Sequence, residues 1–178
     1  MLSMFNAFLD YEGHFGYYFI GGTGEVVFVP LYERLVQLGV KFEFFHKVES
    51  LNPSADNKSI ESVDIAVQAQ LKNPTAGYYP FITVDSELGK LEAWPNDPNW
   101  DQLVNGANLT NYDFESYYKT NYPTTPKQLK QGVDYDAVVL AISLGALPYI
   151  TPKMMAVNPK WNAMVNGIKT TPTFGKNL

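Results

Sequence analysis

Ile20-Gly21-Gly22-Thr23-Gly24-Glu25-Val26-Val27-Phe28-Val29-Pro30-Leu31-Tyr32-Glu33-Arg34-Leu35 decides how the chain is read. A glycine-rich turn runs into a helix, and the helix closes at Gly39. Val40-Lys41-Phe42-Glu43-Phe44-Phe45-His46-Lys47-Val48 then follows at once as an extended run. Leu31, Leu35 and Leu38 stand at i, i+4 and i+7, which predicts one apolar stripe, with Glu33 and Arg34 turned outward. Pro30 suits the first turn, where its missing N–H costs nothing, and Gly39 suits the position just past the helix end. In the strand, Phe42, Phe44, His46 and Val48 share one face, and Lys41, Glu43, Phe45 and Lys47 the other. Glycines let a ligand approach the backbone, and a helix start favours anions. Yet Gly-Gly-Thr-Gly is neither G-x-G-x-x-G nor a P-loop, because no Lys-Ser/Thr follows. On pattern alone it is turn chemistry, with anion binding the sharper alternative.

Working outward, Asn52-Pro53-Ser54-Ala55-Asp56-Asn57 is dense in turn formers. Residues 60–70 then return as a second strand, making a long antiparallel hairpin. The apolar phase slips between Ile60 and Val63-Ile65-Val67, which predicts a bulge. Residues 78–100 hold short strands on either side of Asp85-Ser86-Glu87-Leu88-Gly89, flanked by Phe81, Ile82, Leu91 and Trp94. Asp101-Gln102-Leu103-Val104 starts a short helix. Residues 105–132 are polar and tyrosine-rich without clear period, and read as a surface excursion. Asp134-Tyr135-Asp136-Ala137-Val138-Val139-Leu140-Ala141-Ile142 is a continuous apolar run behind two acids, the pattern of a buried parallel-type strand. Helical pieces are expected at 152–157 and 159–166, with 168–174 as a further strand or an extended arm. The fold class is α+β: a long antiparallel hairpin, one buried parallel-type strand and a mixed sheet-and-loop excursion.

Composition limits the function classes. The chain has 178 residues, 46% of them hydrophobic and 17% charged, which suits a globular chain rather than a disordered one. A net charge of -5 leaves no basic surplus for nucleic acid, so no such partner is expected. With no cysteine there is no thiol nucleophile and no cysteine-type metal site, and His14 and His46 alone do not make a histidine-rich one. No metal is expected. His14 reads as a surface or core-edge residue, and His46, between phenylalanines, as a hydrogen-bonded structural one. No apolar run is long enough to span a membrane, and the start lacks the basic region of a signal peptide, so the expected location is cytoplasmic. Aromatic residues reach 15%, with 12 Tyr, 11 Phe and 3 Trp. Either they line a ligand site or they pack a core.

Several stretches, in order, resemble one family. Phe28-Val29-Pro30-Leu31-Tyr32-Glu33, Phe42-Glu43-Phe44-Phe45-His46-Lys47-Val48, Trp94-Pro95 with Trp100-Asp101-Gln102-Leu103, and Ile142-Ser143-Leu144-Gly145-Ala146-Leu147-Pro148 are similar to FAD-dependent oxidoreductases of the flavin-containing amine oxidase and carotenoid-desaturase type, a bacterial group also described as NAD(P)-binding. The resemblance spans residues 15–174. It implies FAD as cofactor and a small or apolar substrate oxidised by hydride transfer to the flavin. It also implies that the backbone at Val48 meets adenine, that Ala141 and Ile142 end a supporting strand, and that Gly21 and Gly22 precede the helix beside the flavin. Tyr78, Tyr79, Trp94 and Trp100 then line the substrate side.

The resemblance further implies one partial unit over residues 1–178. Residues 20–72 and 133–150 lie on the FAD-domain side, and residues 73–132 and 151–178 on the substrate-domain side. Since no G-x-G-x-x-G occurs in the chain, the pyrophosphate-binding segment is a missing N-terminal partner. FAD binding by this chain alone is expected to be weak or absent. The alternative is a stand-alone, non-catalytic binding module with Tyr78, Tyr79, Trp94 and Trp100 as an aromatic platform. A thinner third reading pairs acids among Asp85, Glu87, Glu92, Asp97 and Asp101 for glycoside hydrolysis.

Overall fold

A computed structural model describes residues 19, 21–86, 89–116 and 122–171. Two compact units divide the chain: Met1–Phe42 with Tyr78–Trp100, and Glu43–Gly77 with Asp101–Leu178. The architecture is α+β, with a two-stranded and a three-stranded antiparallel sheet. Among the described residues, no helix is long and apolar enough to cross a membrane.

In the first unit the Gly22 carbonyl accepts from the backbone N–H of Glu25 and Val26, at 3.1 and 3.0 Å. A widened π-helical turn, Gly24–Phe28, leads into helix α1, Val29–Gln37. Proline explains the widening. An α-helical Pro30 would drive its ring against the carbonyl of Val26, and the wider turn avoids that clash. The helix closes as the glycine predicts. Gly39 (φ 89°) donates to Val36 and Val40 to Leu35, at 2.9 and 3.0 Å, the paired bonds of a Schellman stop. The apolar stripe differs from the leucine spacing: Leu31 and Leu38 are 49% and 64% exposed, while Val29 is buried. Tyr32 carries the packing instead, because Phe81 and Trp94 meet its ring edge-on at 5.1 and 5.8 Å. Those two residues flank the hairpin of β1, Ile82–Ser86, and β2, Gly89–Ala93, the short strands expected on either side of residues 85–89.

The second unit is built on β3, His46–Pro53, β4, Ile60–Val67, and β5, Thr125–Lys130, in the order β3-β4-β5. The hairpin is as expected, but its first strand begins at His46 rather than Val40. Phe45 adopts a left-handed φ of 58°, which breaks the extended run. Two register shifts reconcile its apolar spacing with one buried face. Val48 pairs with Ile65 and Ser50 with Asp64, so Glu49 is extra on β3; Asn52 pairs with Ser62 and Pro53 with Ile60, so Glu61 is extra on β4. The second is the bulge expected beside Ile60. Residues three apart, Val48 and Leu51 or Ile60 and Val63, thereby share a face.

That face holds the core, Leu51, Val63 and Ile65, with Ile60, Val67, Leu129, Tyr135, Leu140 and Met154 packed against it. Strand β5 was hidden in the polar excursion. As an outer strand it is exposed along nearly its whole length, so it carries Pro126, Lys127 and Lys130 rather than an apolar alternation. Short helices follow: α2, Gly106–Leu109; α3, Leu147–Ile150; α4, Pro152–Val157; and α5, Pro159–Gly167. Asn158 caps α5 by accepting from the backbone N–H of Lys160 and Trp161, and α3 and α4 lie against β3.

One expectation is corrected. Residues 134–142 form no strand, and the described strands pair only antiparallel; the parallel contact found is an isolated bridge between Gln131 and Tyr135. After β5, a turn at Gly132 (φ 76°), with the Asp134 carboxylate accepting from the Lys130 N–H, redirects the chain. The apolar run beyond it meets no neighbouring strand. Val138, Val139 and Ile142 are 38%, 90% and 42% exposed, while Tyr135 and Leu140 pack against the core. A continuous apolar run is a buried strand only when strands or helices cover both its faces. His14 and residues 172–174 lie outside the described residues.

Candidate functional site

The expected site residues fall into both units. Gly21, Gly22, Tyr78, Tyr79, Trp94 and Trp100 belong to the first, and Val48, Ala141 and Ile142 to the second.

In the first unit the aromatics form a chain of edge contacts. Phe81 meets Trp94 at 4.6 Å and Tyr79 at 5.5 Å, both edge-on, and Tyr32 meets Phe42 at 4.4 Å with its ring tilted by 39°. Asn99 clips the segment by donating from its amide to the carbonyls of Tyr79 and Phe81, at 2.9 and 3.1 Å, while its backbone N–H reaches the Tyr78 hydroxyl at 2.8 Å. Phe81 is buried at 3% exposure, Tyr78 and Trp94 are half-buried, and Tyr79 is 53% exposed. The set is thus mainly packing, with Tyr79 as its open end. The Tyr79 hydroxyl donates to Glu92 at 2.8 Å, and the Thr83 hydroxyl donates to the same carboxylate at 2.9 Å. The bond to Glu92 raises the Tyr79 pKa above the ordinary phenol value, with burial adding to it.

The glycine turn sits at the edge of this cluster. A side chain at Gly24 would press on Trp94 at 3.3 Å, so glycine lets the turn and the indole approach closely there. A side chain at Gly22 would meet the Glu25 carboxylate. A carboxylate folded over the turn repels an anion, so this turn is unsuited to phosphate.

In the second unit Val48 lies on the outer strand β3 and is 37% exposed. A strand with one neighbour leaves alternate backbone N–H and C=O groups outside the ladder. Beside it, His46 Nδ1 lies 2.6 Å from the Phe44 carbonyl. A carbonyl only accepts, so Nδ1 carries the proton, and Nε2 faces Lys127 Nζ and Glu43, both at 3.4 Å. His46 is the hydrogen-bonded structural histidine that its setting predicted. Ala141 and Ile142 are exposed and belong to no strand.

Sequence reasoning missed a polar cluster on the sheet, centred on Asn52 and Asp64. Asn52 uses all four of its hydrogen-bonding positions: its amide nitrogen donates to Ser62 and Asp64, each at 2.9 Å, and its oxygen accepts from Ser50 at 3.1 Å and Lys153 at 2.6 Å. Asp64 also accepts from Gln128 at 2.8 Å and lies 3.8 Å from Lys153. Hydrogen bonds from Gln128 and then Asn52, with the Lys153 charge, hold the Asp64 carboxyl below its ordinary value. The available signal was alternation: Ser62 and Asp64 stand opposite Val63 and Ile65 in one strand. The missing part was β5, without which Gln128 had no place.

Among the described residues no group of acids and histidines is placed to hold a metal. Of the carbohydrate-active pairs considered, Asp85 faces Lys90 at 4.0 Å and Glu92 is engaged by Tyr79 and Thr83; Glu87 lies outside the described residues. No family model, curated protein or solved structure matches the chain.

Proposed function

We infer that this chain is part of an FAD-dependent oxidoreductase of the amine-oxidase type, which oxidises a small or apolar substrate. The carrying observation is the course of the chain from Gly21 to Val48. A glycine turn packed on Trp94 enters a helix stopped by Gly39, and the chain then reaches a half-exposed Val48 on an outer strand. Backbone groups outside the ladder suit an adenine edge, which needs one donor and one acceptor. When bound, the flavin would supply the hydride chemistry, and the protein would position substrate and exclude water. The residues present fit the adenine end and not the pyrophosphate, since Glu25 lies beside the glycine turn that leads into α1. The pyrophosphate is therefore assigned to a segment not contained in these residues. The exposed Val138, Val139 and Ile142 fit the same reading, because they leave apolar side chains uncovered by any described element. Tyr79, at the open end of the aromatic cluster, is the residue best placed to meet substrate.

The coding sequence around this chain tests the proposal. An in-frame strand–G-x-G-x-x-G–helix upstream is expected. A complete locus without one would remove the pyrophosphate site and the proposal with it.

A further inference from the structure

A concave site lies within the second unit, apart from every residue discussed above as a flavin or substrate contact. Pro53, Asn57, Lys58, Ser59, Ile60, Met154, Val157 and Asn158 line a cavity of about 220 Å³ between the β3–β4 turn and the α4–α5 junction. Ile60 and Met154 pack against the core, so the floor is held by the same contacts that hold the sheet.

The turn is braced from inside. The Ser54 hydroxyl donates to Asp56 at 2.6 Å and accepts from the Ser59 N–H at 3.1 Å, while the Lys58 N–H donates to Asp56 at 3.2 Å. The only carboxylate of the turn is thus engaged locally, and none of the eight lining residues is acidic. Around the rim, among the described residues, the Lys58 ammonium, the Asn57 amide, the Ser59 hydroxyl and the Asn158 amide nitrogen have no partner; Asn158 spends its oxygen on the α5 cap. These polar groups, with the Lys58 ammonium as the one charge among the lining residues, surround an apolar floor of Pro53, Ile60, Met154 and Val157. A group of opposite character would be an anion carrying a short hydrocarbon tail.

The geometry points to a binding site for a short aliphatic monocarboxylate, with Lys58 pairing its carboxylate and Met154 and Val157 covering its chain. The volume agrees, since it has room for about seven water molecules at roughly 30 Å³ each, about the size of a six-carbon acid. This inference does not rest on the flavin reading.

Hexanoate is the probe, titrated into the purified chain and followed by amide shifts in NMR. Saturable shifts are expected at residues 57–60 and 154–158, with a millimolar dissociation constant. Lys58→Met should weaken binding by about tenfold, the usual worth of a hydrogen bond to a charged group, with unchanged circular dichroism. Hexylammonium should not saturate the site. The proposal is overturned by hexanoate shifts that fail to saturate, by equal affinity in Lys58→Met, or by comparable binding of hexylammonium.

Discussion

Replacing Asp64 by alanine isolates the polar cluster that ties helix α4 to the sheet. Asp64 accepts from the side-chain amides of Asn52 and Gln128 at 2.9 and 2.8 Å, and its side chain is 33% exposed. A buried hydrogen bond to a charged acceptor contributes about 1.5–3 kcal/mol, and exposure reduces this to roughly 0.5–1 kcal/mol for each amide. The Lys153 pair, at 3.8 Å and mostly in water, adds no more than about 0.3 kcal/mol. Asp64→Ala should therefore cost about 1–2 kcal/mol at neutral pH. The folded carboxyl is held below the ordinary value of 3.8, so the contribution is complete above that pH and lost as pH falls through the depressed folded value. Urea unfolding of both chains, followed by circular dichroism at neutral pH and again well below pH 3.8, measures the gap. It should narrow in acid. Equal stabilities at neutral pH, or a gap that survives full protonation, would refute the account of the cluster.

Two further substitutions test the frame around it. Gly39→Ala places a methyl where no atom lies within 4 Å, so its cost is the left-handed backbone alone, at φ 89°. About 1–2 kcal/mol is expected, read as faster hydrogen exchange of the Val36–Gln37 end of α1. Leu51, 3% exposed at the centre of the core, should cost about 2–5 kcal/mol when cut to alanine. The same change at Leu31, 49% exposed, should cost well under 1 kcal/mol. Equal losses in urea unfolding would show that the stripe read from leucine spacing is the buried one.

Local signals in the sequence transferred well to the structure. Gly39 stopped its helix, turn formers closed the hairpin, the phase slip at Ile60 marked a bulge, and prolines opened α4 and α5. Each depends on a residue's own backbone preference. The failures depend on neighbours. The leucine stripe was displaced because Phe81 and Trp94, far along the chain, chose Tyr32. Strand β5 was invisible because an outer strand needs no apolar alternation. Val138–Ile142 has the composition of a buried strand without the flanking strands that would make it one. For the candidate site, His46 was legible from its immediate setting, while the Asn52–Asp64–Gln128–Lys153 cluster required three strands and a helix to be brought together.

The flavin itself decides the central claim. The protein expressed from its entire reading frame should purify with the visible absorbance band of bound FAD, and Val48→Pro, which removes a backbone donor on β3, should weaken flavin retention. The 178-residue chain alone should be colourless. A colourless full-frame protein that gains no flavin band on incubation with FAD would contradict the assignment.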